Sequence, residues 1–171
     1  MISTLVKNKS GMILEEFCEG VEGKIGDIEY FVNNEKMKNE IMKSCSGNQI
    51  CCVDRLWQST LVANAVICGV TSKNELKDLY NIIYKGYNFE NYIYVFLDIS
   101  SEISLLRNVN SEEVRQCMWF DELFNQKAYK MYHLLYDYLE YVMDKEVHKI
   151  LIDTQKYTPT DGAEILNEWL F

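Results

Sequence analysis

Ile50-Cys51-Cys52-Val53-Asp54-Arg55-Leu56-Trp57-Gln58-Ser59 is the stretch on which the fold turns. Four apolar residues run without a polar alternate, end on Asp54, and are followed by Arg55. An unbroken apolar run suits a parallel strand covered on both faces. The residues from Trp57 to Cys68 are apolar and small, and their number suits a helix. The stretch therefore reads as strand, acidic-basic junction, helix. Three further runs have the same form, at 12–14, 92–97 and 149–152. Each of the four meets an acidic residue at its end: Glu15-Glu16, Asp54, Asp98 and Asp153. Helical patterns fall at 30–43, 57–68, 73–84, 101–107, 112–143 (broken once) and 160–170. Thr71-Ser72 precede the third as caps, and Thr160 or Asp161 caps the last, behind Pro159. Strands alternating with helices define an α/β fold: a three-layer parallel sheet with helices on both faces and right-handed crossovers. Ligands of such sheets bind beyond the carboxyl ends of the strands. The pattern thus predicts an acidic edge.

The rest of the chain sets limits. Its 171 residues suit one domain spanning 1–171, and no Gly/Ser linker or internal repeat divides it. The net charge of −9 argues against a nucleic-acid polymer or an anionic membrane as partner. The apolar runs are too short to span a bilayer. None of the six cysteines forms a Cys-x-x-Cys pair, and His133 and His148 lie far from them in sequence. Neither zinc, haem nor flavin is expected. Adjacent Cys51 and Cys52 read as small core residues. With no signal-peptide pattern, reduced thiols and a cytoplasmic location are expected.

Positive charge is distributed unevenly in type. Of 17 basic residues only Arg55, Arg107 and Arg115 are arginine. A guanidinium offers a rigid fork that matches phosphate oxygens, which an ammonium does not. Arg55 stands at a strand end, and Arg107 and Arg115 bracket the polar segment 108–114.

Asp54-Arg55-Leu56-Trp57-Gln58-Ser59 resembles the Asp-Arg-x-x-x-Ser motif of thymidylate kinases, and the related deoxynucleoside kinases place Glu-Arg-Ser at the same point. Tyr94-Val95-Phe96-Leu97-Asp98-Ile99-Ser100-Ser101-Glu102 resembles the next strand and helix start of that family, with Leu105-Leu106-Arg107 as the helix end. Trp119-Phe120-Asp121-Glu122, with Tyr129 and Tyr132, resembles the helix behind the family's lid. Ile150-Leu151-Ile152-Asp153-Thr154 resembles its last strand. The order agrees over roughly the last two thirds of the chain. The resemblance implies a P-loop nucleoside or nucleotide kinase that uses ATP and magnesium and carries a lid at about 107–118. It implies a homodimer packed through helices beside the sheet. Asp54 would serve the magnesium shell, and Arg55, Arg107 and Arg115 the transferring phosphoryl group. Glu16 matches the glutamate that takes the acceptor proton, with Phe17 where that family has proline. Trp57, Ser59 and Lys36 would meet the acceptor. Glu15 stands where thymidylate kinases place an arginine, and Lys36 is a point charge in place of a second one. A nucleoside is then as suitable an acceptor as a monophosphate.

One family element is missing. No Gly-x-x-x-x-Gly-Lys-Ser/Thr occurs in the chain, although phosphoryl transfer of this kind uses that loop to cradle phosphates. Ser3-Thr4-Leu5-Val6-Lys7-Asn8 resembles the residues just after Gly-Lys in that loop, with Met1-Ile2 in the place of Gly-Lys. Ser3 and Thr4 would then join Asp54 at the donor phosphates. The expectation is a kinase-like domain that is N-terminally incomplete. Its alternative is a non-catalytic relative acting as a binding or assembly module. Cys18-Glu19-Gly20-Val21-Glu22-Gly23-Lys24 has the wrong spacing for a substitute loop and reads as a surface turn.

Overall fold

The computed structural model describes residues 11–14, 16–24, 26–45, 50–90, 92–108 and 118–170. Ser3, Thr4, Glu15 and Arg115 lie outside the described residues, as does most of the lid segment. The elements in chain order are β1 (Gly11–Leu14), α1 (Ile28–Ser44), β2 (Ile50–Val53), α2 (Trp57–Cys68), α3 (Lys73–Tyr84), β3 (Ile93–Asp98), α4 (Ser101–Asn108), α5 (Glu122–Asp137), α6 (Leu139–Met143), β4 (His148–Asp153) and α7 (Pro159–Leu170). Two compact units divide them. One holds residues 1–60, 86–91 and 156–171, the other 61–85 and 92–155.

In the first unit β1 and β2 pair in parallel, from Gly11 opposite Ile50 to Leu14 opposite Val53. The Asp54 amide extends the ladder by donating to Leu14 O at 3.2 Å. Glu16 and Asp54 therefore emerge at the same end. Trp57 is fully buried and stacks on Phe89, ring centroids 6.0 Å apart. Between β1 and α1 the chain turns through Gly20 and Gly23, both at positive φ. A Cβ on Gly23 would come within 3.3 Å of the Tyr30 backbone, so only glycine fits without displacement. This is the surface turn expected at residues 18–24.

In the second unit β3 and β4 pair in parallel, ending with Asp98 opposite Asp153. The Thr154 amide donates to Asp98 O at 2.9 Å. Tyr94 and Phe96 are buried, and Phe96 meets Tyr136 of α5 edge to face at 5.3 Å. Ile93, Val95 and Leu97 are exposed. The apolar run predicted cover on both faces. Among the described residues β3 instead alternates, with helix cover on one face.

The ladders differ from expectation in number. The sequence pattern predicts one three-layer sheet, whereas the described strands form two parallel sheets of two strands each. The hydrogen bonds of β2 go to β1 and those of β3 to β4, so no described strand joins the pairs.

The starts of α3, α5 and α7 are set by side-chain capping. Ser72 and Glu75 form a reciprocal capping box at α3, as Thr71-Ser72 predicted. At α7 the cap is Thr158, ahead of the expected Thr160 or Asp161. Thr158 Oγ1 accepts from the Asp161 amide at 3.3 Å, and Asp161 accepts from the Thr158 amide at 2.8 Å. Pro159 then takes the first helical position, where its missing N–H costs nothing. Among the described residues of the stretch predicted helical at 112–143, α5 starts at Glu122, where Asp121 accepts from the Phe124 amide at 2.7 Å and caps the helix. A 3-10 turn over Met118–Phe120 precedes it. A break falls at Tyr138, between α5 and α6.

Candidate active site

The site at the carboxyl ends of β1 and β2 is organised by a face of α1 that is polar and buried. Asn34, Glu35, Lys38 and Asn39 are each at most 4% exposed. Buried polar groups are tolerated when each is hydrogen-bonded, and these are. Asn34 Nδ2 donates to Glu16 O, and Asn34 Oδ1 accepts from the Cys18 amide, both at 2.8 Å. The chain leaving β1 is thereby fixed to α1. Lys38 Nζ donates to Asp54 O and Arg55 O, both at 3.0 Å, which fixes the chain leaving β2. Glu35 Oε1 accepts from Thr60 Oγ1 at 2.5 Å.

Burial pushes the Lys38 ammonium below its ordinary pKa, and Cys18, Glu35, Asp54 and Glu16 work against that shift. A buried cation surrounded by acidic groups counters the repulsion among them.

Above Lys38, Arg55 Nη1 donates to Glu16 Oε1 at 2.9 Å. Both side chains are about half exposed, so the pair contributes only about 0.2–1 kcal/mol to stability. Its significance is therefore positional. Arg55 adopts φ 57°, a left-handed conformation uncommon outside glycine. Asp54 is exposed beside it.

The other predicted site residues are more scattered. Lys36 lies over the Tyr87 ring, Nζ 5.3 Å from its centroid. Tyr87 is held by Asn39 and Glu40, at 2.7 and 2.6 Å from its hydroxyl. Trp57 belongs to the core described above, and Ser59 is half-buried in the first turn of α2, its amide donating to Leu56 O at 3.1 Å. Arg107 lies on α4. The structure thus brings Glu16, Asp54 and Arg55 together.

Two features were missed by the sequence reading. Lys38 is the lysine of the site cluster. The signal that could have found it is the polar set at 34, 35, 38 and 39, which shares one helix face. The second lies at the carboxyl end of β3, where His133 Nε2 of α5 is 3.0 Å from Asp98 Oδ1. Tyr129 meets the His133 ring at 4.6 Å, and its hydroxyl pKa is raised, first by burial and then by Asp98 and Asp153.

Among the described residues no group of three or more His, Cys, Asp or Glu side chains is placed to hold a metal ion. No described helix is long and apolar enough to cross a membrane.

With this geometry in place, the α/β fold is found to be similar to that of a solved deoxynucleoside kinase. The comparison that carries it is the structure of deoxyadenosine kinase from M. mycoides with bound dATP. It matches 99% of this chain and 92% of that chain, with a TM-score of 0.65 and 16% sequence identity. No protein-family model matches the sequence, and no curated protein sequence matches it.

Proposed function

We propose that the chain is a nucleoside kinase-like phosphotransferase, moving the terminal phosphoryl group of ATP to the hydroxyl of a nucleoside. The observation that carries the reading is the Glu16 carboxylate lying 2.9 Å from the Arg55 guanidinium at the ends of two parallel strands. A hydroxyl set between these groups would meet a proton acceptor and a phosphate-facing cation together. Glu16 takes the hydroxyl proton, and Arg55 offsets charge on the transferring group. The deoxyadenosine kinase likeness supports a nucleoside as acceptor, as does the absence of arginine near Lys36. A nucleoside monophosphate, the thymidylate kinase-like variant, would have to use the Lys36 ammonium without a fork.

Magnesium fits the site as a companion of ATP. Mg²⁺ is commonly held by one or two carboxylates together with substrate phosphates, and Asp54 is an exposed carboxylate at the strand end. Asp54 would hold it, and the ion would supply charge neutralisation on the phosphates. In this reading Ser3 and Thr4 adjoin the donor phosphates, and Arg107 and Arg115 belong to a lid at about 107–118 of one kinase domain. Trp57 and Ser59 back the acceptor side. A cytoplasmic homodimer completes the proposal.

A second reading rests on the absence of Gly-x-x-x-x-Gly-Lys-Ser/Thr in the sequence. It is a non-catalytic relative serving as a binding or assembly module. Calorimetric titration with ATP–Mg separates the two, together with a chromatographic assay for nucleoside monophosphate from each of the four deoxynucleosides. Micromolar binding with product formation supports the kinase. Silence at millimolar ATP with no product from any nucleoside rejects it in favour of the binding module.

A further inference from the structure

We propose that Lys38 is a positioning residue, whose buried ammonium holds the turn at Asp54 and Arg55 in the conformation that sets the Arg55 guanidinium beside Glu16. Its effect on phosphoryl transfer rests on the kinase reading above, whereas its hold on the turn does not.

The geometry is specific. Successive carbonyls of an extended strand point to opposite sides. Here the carbonyls of Asp54 and Arg55 converge on one Nζ, each at 3.0 Å. Convergence requires the peptide between them to be turned, and Arg55 is at φ 57°. That region is disfavoured for a residue with a Cβ, so surrounding contacts must hold it. Lys38 is 1% exposed and supplies such a contact. A compact ammonium with three donors can serve two carbonyls at once. Lys36, two positions away on α1, lies over Tyr87 and takes no part.

The helix is itself anchored to both strand ends. Asn34, one turn before Lys38, binds Glu16 O and the Cys18 amide. A single rigid element thus sets the backbone of the proton acceptor and of the cation. Small misplacements of reacting groups are costly, so residues beneath a site can control its rate without touching substrate.

The test has one arm that needs no activity. In heteronuclear spectra of the wild-type protein, the Lys38 ammonium should show hydrogen-bond couplings to the carbonyl carbons of residues 54 and 55. In Lys38→Met the Arg55 backbone shifts should leave the left-handed range, with Lys38→Gln intermediate because it keeps a donor. A folded Lys38→Met that retains the left-handed signature overturns the proposal. If neither variant folds, wild-type couplings decide, and their absence overturns it. The second arm is kinetic. Lys38→Met should lower kcat about 10- to 100-fold with nucleoside KM within about threefold of wild type. An unchanged kcat in the folded variant overturns the positioning role. Should wild-type protein transfer no phosphoryl group, the kinase reading fails alone, and the spectra still decide the role of Lys38.

Discussion

Arg55 reaches Glu16 at 2.9 Å from a backbone held at φ 57°. The ion pair is half exposed, so the protein gains little stability from it. Glu16→Gln tests what else it does. The amide keeps the shape and can still contact Arg55 through its oxygen, but it cannot take a proton at neutral pH. Under the kinase reading kcat should fall by about 10²- to 10⁴-fold, while the denaturation midpoint corresponds to a change within about 1 kcal/mol. An active Glu16→Gln enzyme would remove Glu16 from the role of base.

Arg55→Gly sets stability against activity. Glycine accepts the left-handed backbone freely but loses more entropy on folding, about 0.5–1 kcal/mol, against about 1–2 kcal/mol of relieved strain. With the ion pair lost as well, about 0.2–1 kcal/mol, the variant should lie within about 1 kcal/mol of wild type in urea titration, and should lack transfer activity. A clear loss of stability would show that the guanidinium, rather than the turn, matters to folding.

These residues mark the division between what the sequence discloses and what it conceals. The apolar runs at 50–53 and 92–97 disclose the parallel strands, because burial dictates their composition. Asp54 and Arg55 were legible as a junction because acidic and basic residues cannot continue a buried strand. Lys38 was not legible. A lysine among Asn34, Glu35 and Asn39 has the composition of a solvated face, and only the carbonyls arriving from β2 make burial tolerable. The φ of Arg55 was hidden for a similar reason, since left-handed backbone is ordinarily signalled by glycine. Asp98 and His133 are 35 positions apart, and no local pattern joins them.

The capping box at α3 gives an acid-side test. Glu75 accepts from the Thr71 amide at 2.8 Å and from the Ser72 amide at 3.1 Å. These contacts, the Thr71 amide foremost, hold its carboxyl below the usual range. A depressed folded pKa means the contribution is present above the unfolded value and is lost as pH falls through the folded one. The stability difference between wild type and Glu75→Gln should therefore shrink from pH 7 towards pH 3 (about one unit below the ordinary carboxylate value). Ser72→Ala, which removes the other half of the box, should cost about 1 kcal/mol at pH 7. A pH-independent difference for Glu75→Gln would refute the assignment.

At alkaline pH opposing groups set a sequence of slopes. Burial, aided by Cys45, pushes the Cys51 thiol from 9.0 to about 12. Burial pushes the Tyr80 hydroxyl from 10.0 to about 12. Both folded values lie above the unfolded ones, so the folded state keeps protons that the unfolded chain has released. That stability is complete below the unfolded values and is lost as pH rises towards 12. Lys38 has the opposite sign. Its folded pKa lies below the ordinary 10.5, so relief of its burial penalty adds stability as pH rises to 10.5 and nothing beyond. Denaturation under reducing conditions should show a shallow decline from pH 9 to 10.5 and a steeper one from there to 12. Cys51→Ala should flatten the first part, and Lys38→Met should steepen it. A wild-type midpoint constant to pH 12, or a Cys51→Ala variant with the wild-type slope, would show that the β2 thiol titrates no differently in the folded protein.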